Sequence, residues 1–216
     1  MDKLFPKYII LLIVLLVAKH SISQSSITFD AGQVFSTYKF IDAQGLQEKN
    51  FTDNITGCFS LGYQFTTQTG LFIRSNIGMR KAGASNEYDG IPVSWNLQYA
   101  DADVGVGYIL NKWRLKPYVY AAPYFGYLLK ANQTIGSNTY DILKNKSVKT
   151  SDYGVFLSPG LKITLSNYIS CYVEYKYILG LNNTETSPDQ KSYNRGFSFN
   201  LGVAVSIIRY NYVTVK

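Results

Sequence analysis

Between residues 152 and 183 the chain carries one pattern twice, in opposite directions. Tyr153, Val155, Leu157, Leu161 and Ile163 alternate with Asp152, Gly154, Ser158, Gly160 and Lys162, the period-2 signature of a strand with one apolar face and one small or polar face. Leu165, Ser166, Asn167 and Tyr168 make a short turn, after which Ile169, Cys171, Val173, Tyr175, Tyr177 and Leu179 alternate with Ser170, Tyr172, Glu174 and Lys176. The stretch therefore reads as a β-hairpin. Its second face mixes glycine and serine with a few charges, which suits the narrow lumen of a closed barrel. If that face points inward, the aromatic face points outward, and lipid is the solvent that stabilises such an exterior.

The rest of the chain repeats the pattern. Strands are expected over residues 27–39, 55–66, 71–80, 93–110 and 115–130, and a last one carries Phe197, Phe199, Leu201, Val203, Val205 and Ile207 against Ser198, Asn200, Gly202, Ala204 and Ser206. In the fourth strand Trp95, Leu97 and Tyr99 are odd-numbered while Ala102, Val104, Val106 and Tyr108 are even, so a bulge around Ala100 and Asp101 is expected. Pro117 and Pro123 lack the ladder donor and leave the register of the fifth strand open. Polar stretches at 40–54, 81–92, 131–151 and 180–195 alternate with compact turns. The expected fold is all-β: an eight-stranded antiparallel up-and-down transmembrane β-barrel with short periplasmic turns, long extracellular loops and both chain ends on the short-turn side.

Composition agrees with a surface that meets lipid: 16% of residues are charged, and there are 19 tyrosines, whose rings are apolar and hydroxyls wet. At the amino terminus Lys3 and Lys7 precede an apolar run from Tyr8 to Ala18, and Ser21 and Ser23 follow. The run is too short to span a bilayer, so residues 1–23 are read as a signal peptide and 24–216 as the barrel domain. Removal of 1–23 lowers the formal charge from +7 to +5. The basic residues are scattered, which is no nucleic-acid footprint. Cys58 shares the polar face of its strand and Cys171 the apolar face of another, so no disulfide is expected. Asn50, Asn54, Asn132, Asn145 and Asn182 stand in Asn-x-Ser/Thr triplets and are read as part of an asparagine-rich composition.

The run Asp152, Gly154, Gly160, then Glu174, Tyr175, Tyr177, Gly180, Leu181 and Asn182, preceded by Lys116, Pro117, Tyr118 and Tyr124, resembles the small outer-membrane β-barrel family common in Bacteroidetes, which includes PorT-like proteins. The resemblance extends over nearly all of the mature chain. It implies a barrel of OmpA/OmpX size in the cell outer membrane, and it implies little about activity. One departure is that the chain continues from Ile208 to Lys216 where such barrels end on an aromatic residue.

The one histidine, His20, lies in the export segment, so the mature chain lacks the usual general base of acyl chemistry. No phosphate loop, zinc spacing or calcium loop is present; no catalytic, cofactor or metal residue is assigned, and the chain is read as no enzyme. The inward-facing charges are Asp30, Arg74, Arg80, Asp152, Lys162, Glu174 and Lys176. They are read as a structural network filling a lumen too narrow for a channel. The expected function is a structural or binding role in contact with outer-membrane lipid, with loops 40–54, 131–151 and 180–195 as surfaces for an extracellular ligand or protein. Two alternatives remain: a narrow channel lined by the same charges, and a soluble lipocalin-like carrier with the faces reversed.

Overall fold

A computed structural model describes residues 24–48, 51–88, 90–111, 114–187 and 189–207. The export segment at 1–23 and the tail at 208–216 lie outside the described residues. Ten strands follow in order: β1 (Gln24–Ile41), β2 (Gln47–Glu48), β3 (Thr52–Thr66), β4 (Leu71–Tyr88), β5 (Ile91–Ile109), β6 (Leu115–Ile135), β7 (Asn138–Asp141), β8 (Ser151–Thr164), β9 (Ile169–Gly180) and β10 (Lys191–Ser206). Eight of them form the wall, in the neighbour order β10-β9-β8-β6-β5-β4-β3-β1, and β1 pairs again with β10 to close the ring. The closing seam runs antiparallel from Ser26↔Ser206 to Ile41↔Lys191. The two short strands are additions at the long-loop end: β2 pairs the top of β1, and β7 pairs the top of β6.

The faces are inverted relative to a soluble protein. Leu61 is 51% exposed and Leu201 70%, whereas Asp152 is fully buried. Tyr63 and Val173 also face outward, while Gly62 and Glu174 are buried. This overturns the soluble-carrier alternative, which needs Leu61, Tyr63 and Val173 to line a cavity. Glycines on the inner face make room for rings: Tyr118 stands opposite Gly160 and Tyr172 opposite Gly202, and a Cβ at either glycine would meet the tyrosine ring. The small residues that first suggested a lumen are thus half of a set of large–small cross-strand pairs.

Three sequence expectations are corrected. Residues 81–92 are not a loop: β4 and β5 run on as a hairpin to Tyr88↔Ile91, with Gly90 in the left-handed conformation at its tip. These residues lack apolar alternation because the buried face carries only the small or polar Ala82, Ala84 and Asn86, alternating with Lys81, Gly83, Ser85 and Glu87. No bulge sits at Ala100 and Asp101; odd-numbered residues of β5 face inward along its length, and Leu97 and Tyr99 are buried at the mouth of the lumen. The register shift lies instead between Gln98 and Tyr99, where the extra residue is Leu129 of β6. Leu129 and Lys130 consequently both face outward, and Ala131 turns back in. Finally, the stretches 40–54, 131–151 and 180–195 are partly ordered into strands, since β1 ends at Ile41, β6 reaches Ile135 and β10 starts at Lys191.

Leu61 lies mid-wall between Phe29 and Ile77. Leu61→Arg is expected to cost ~2–4 kcal/mol when reversible unfolding is followed in lipid vesicles. A cost within experimental error of zero would mean that this face does not meet lipid.

Candidate functional site

Each wall strand contributes alternate side chains to the lumen, and these sort into two ion-paired layers. In the layer nearer the short turns, Arg74 of β4 reaches across to β9: its Nη2 donates to Glu174 Oε2 at 2.6 Å. The Tyr118 hydroxyl donates to the same oxygen at 2.9 Å, and Lys176 Nζ stands 3.8 Å from Oε1. The guanidinium lies over the Tyr120 ring, 4.1 Å from its centre. In the layer nearer the long loops, Arg80 bridges two carboxylates, with Nε 2.6 Å from Asp101 Oδ2 and Nη2 3.2 Å from Asp152 Oδ2. Tyr124 OH and Asn194 Nδ2 also donate to Asp152 Oδ2, at 3.0 and 2.9 Å. Between the layers, Asp30 accepts from Ser60 Oγ at 2.7 Å and Tyr172 OH at 3.2 Å, while Asp103 accepts from Tyr120 OH at 2.6 Å and Asn76 Nδ2 at 2.8 Å.

All seven charged residues singled out in the sequence are buried in the lumen. Six of them are tied into this web. Lys162 stands apart: it faces Lys116 across the β6–β8 pair and makes no salt bridge among the described residues. Sequence reading missed Asp101 and Asp103, which alternate with the outward Ala102 and Val104, and the inward tyrosines 99, 118, 120 and 124, while it placed Tyr172 with Glu174 on the polar face. For β6 the signal was present, because Tyr118, Tyr120 and Tyr124 share even parity with Gly126 while Val119 and Phe125 are odd. Tyrosines such as Tyr63, Tyr108 and Tyr153 are exposed on the outer wall, while the inward ones turn their hydroxyls onto buried carboxylates.

Among the described residues, two small cavities lie in the lumen. One cavity of about 30 Å³ lies among Asp30, Ser60, Asn76, Asp103 and Lys176, and another of about 10 Å³ among Gln64, Phe72, Arg74 and Lys162. Such volumes hold single waters. Cys58 borders the larger cavity with Sγ 3.3 Å from Asn200 Oδ1, and Cys171 sits on the outer wall; both are free thiols. No cluster of metal-ligating side chains occurs among the described residues.

At the long-loop end the lumen is sealed by apolar contact. Ala82, Leu97, Tyr99, Leu128 and Ala131 of the wall surround Ile142, which the 131–151 segment lowers into the mouth, and Leu143 and Val148 pack beside it. The segment is pinned by Ile142 N–H to Ala131 O (3.1 Å) and Lys149 N–H to Thr184 O (2.8 Å). Asp141 accepts from the N–H groups of Lys144 and Leu143, which hold its carboxyl below the usual range. Burial pushes the Glu185 carboxyl up, opposed by nearby Lys149. Above this plug Tyr38, Phe40, Phe51 and Trp95 form a half-buried aromatic cluster, with Phe51 5.6 Å from Trp95 and 5.8 Å from Phe40 between ring centres.

Truncating one partner of a buried pair leaves the other charge without compensation. Glu174→Leu is expected to destabilise the barrel by about 3–5 kcal/mol, and Arg74→Met with Glu174→Leu together to recover most of that loss. Urea unfolding of the detergent-solubilised protein measures both; a double variant as unstable as the single one would contradict the pairing.

The sequence matches the model of a family described as outer membrane protein beta-barrel domain over residues 9–205. Among solved structures the chain is similar to OprG from Pseudomonas aeruginosa, with 10% identity and a TM-score of 0.50 over 87% of this chain and 97% of that one. It is also similar to Ail of Yersinia pestis (16% identity, TM-score 0.45, 86% and 99% covered) and to Neisserial surface protein A (13% identity, TM-score 0.46, 86% and 99% covered). At such identities the likeness concerns the fold alone. No curated protein matches the chain in sequence. With a ring closed by β1 and β10 and an apolar outer wall, the chain belongs to the outer membrane protein beta-barrel family and resides in the outer membrane.

Proposed function

We propose that this barrel is a non-enzymatic anchor that acts by binding at its extracellular face rather than by conducting through its lumen. The observation that carries the reading is the closure of the lumen: two ion-paired layers around Arg74 and Arg80 and the apolar plug at Ile142 leave cavities of about 30 and 10 Å³. An ion entering from either end would have to displace paired charges from a low-dielectric interior. The absence of histidine from residues 24–216 supports the non-enzymatic part.

The binding surface is the mouth. The aromatic cluster of Tyr38, Phe40, Phe51 and Trp95, with segments 40–54, 131–151 and 180–195 around it, offers rigid rings on a fixed scaffold, the arrangement that recognition favours. Residues 131–151 take a double role in this reading, since Ile142 plugs the lumen while the exposed Tyr140 and Lys144 face solvent. Residues 1–23 are proposed to be the export signal preceding the barrel domain of 24–216. A finer placement with the PorT-like barrels of Bacteroidetes is likewise a proposal, resting on the run from Asp152 to Asn182.

Planar-bilayer recording separates binding from conduction. The wild-type protein is expected to be silent, and replacement of residues 136–147 by a two-residue turn is expected to keep the barrel folded while exposing the mouth to protease. Discrete current steps from the wild type, altered by Arg74→Ala or Glu174→Ala, would establish a channel and overturn the proposal.

A further inference from the structure

The outer wall is rich in cations at one end. Among the described residues, the exposed or half-exposed cations on the outer face of the wall strands are Lys39, Lys81, Lys130, Lys191 and Arg195, all on the long-loop half; the acids at that end are Glu48 of β2, Asp53 of β3, Glu87 of β4 and Asp141 of β7. Three of these cations converge on the seam that closes the ring. Lys39 of β1 stands opposite Tyr193 of β10, so it lies on a diagonal to both Arg195, which is opposite Thr37, and Lys191, which is opposite Ile41. Diagonal neighbours on a sheet are about 7–8 Å apart. None of the three makes a salt bridge among the described residues, and like charges this close oppose the pairing of the strands that bear them unless an anion lies between them.

Directly below this triad, toward the membrane, the wall is aromatic. Phe35 stacks on Phe197 with ring centres 4.9 Å apart, Tyr175 stacks on Phe197 at 5.5 Å, and Phe199 meets Tyr175 edge-on at 5.2 Å. These rings face outward where acyl chains lie. Tyr193, half-exposed among the cations, adds a hydroxyl at the level of the headgroups. A cationic triad above an aromatic platform matches a molecule with an anionic head and hydrocarbon tails.

We propose that the β1–β10 seam is a binding site for a phosphorylated lipid of the outer leaflet, the phosphate held by Lys39, Lys191 and Arg195 and the acyl chains by Phe35, Phe197 and Phe199. Arg195 supplies a planar fork for two phosphate oxygens, and the lysines supply point charges on flexible stems. Lys81 and Lys130, which flank Gln98 on three adjacent strands, extend the cationic collar around the wall. Bound lipid would neutralise the repulsion at the seam, so the same contact that recruits the lipid stabilises closure of the ring.

The test is binding of bis-phosphorylated lipid A to the full chain in phosphatidylcholine nanodiscs, read by native mass spectrometry. Dephosphorylated lipid A and inorganic phosphate serve as competitors. Wild type is expected to prefer the phosphorylated lipid, and K39Q/K191Q/R195Q to bind it on the order of a hundredfold more weakly, at about fivefold per cation. K144Q/K146Q/K149Q, which removes equal charge from a loop off the wall, is expected to bind as wild type. Should the seam triple variant fail to assemble, as shown by loss of its heat-shifted gel mobility, K39Q alone is expected to lose about fivefold. Equal loss in both triple variants, equal binding of dephosphorylated lipid, or displacement of the lipid by millimolar inorganic phosphate would each overturn the proposal.

Discussion

The structure depends on one requirement: inside a bilayer every backbone N–H and C=O must find a partner within the protein. A sheet meets it by having no edge, and the pairing of β1 with β10 removes the last one. That seam joins residues nearly the full length of the chain apart, so the whole wall must be registered before it can close. Much of the sequence answers to this demand. Eight wall strands are long enough to cross at a tilt, the turns at one end are short, and the additions at the other end, β2, β7 and the projecting β4–β5 hairpin, lie where water can serve any unpaired group.

Closure with eight strands then dictates the interior. A barrel of this size has room for side chains and little else, so whatever faces inward must pack and be neutralised at the same time. The chain solves both problems with the same residues. Tyrosines fill volume opposite glycines and turn their hydroxyls onto buried carboxylates, while Arg74 and Arg80 lie against tyrosine rings and pair with Glu174, Asp101 and Asp152. Each layer draws on several strands, which ties the wall together across its diameter as the backbone ladder ties it around its circumference. The plug at Ile142 completes the seal with apolar contacts from a segment outside the wall. A closed lumen turns attention to the two surfaces that remain, the aromatic mouth and the cationic collar.

Where one side of a strand meets lipid and the other a packed lumen, the period-2 pattern is strict, and the wall from Ile55 to Phe65 or from Ile169 to Leu179 was legible in sequence for that reason. The seven lumen charges were legible too, because a charge on the glycine-rich face has nowhere else to point. Legibility failed where the residues on the two faces stop differing in kind, or where a face is covered from elsewhere in the chain. Residues 81–92 are strand whose buried face carries only the small or polar Ala82, Ala84 and Asn86, so no apolar alternation marks them. Leu97 and Tyr99 are apolar and yet inward, because their partner Ile142 arrives from a loop far along the chain, and a strand's own pattern carries no trace of it. The bulge at Leu129 falls in the run Tyr127, Leu128, Leu129, Lys130, where three large apolar residues in succession give either phase equal support. The pairing of particular charges was beyond sequence reading altogether, since it depends on ring geometry that only register fixes.

The central claim is that the polar face is sealed inside and the apolar face meets lipid, and the two native cysteines report on one face each. Cys58 lies in the lumen against Asn200, and Cys171 lies on the outer wall. In lipid vesicles containing the folded wild-type protein, a lipid-soluble maleimide is expected to modify Cys171 and spare Cys58, and both thiols should react once the barrel is unfolded in urea. Protection of Cys171 with rapid modification of Cys58 in the folded state would contradict the assignment of faces, and with it the account of a filled, membrane-embedded barrel.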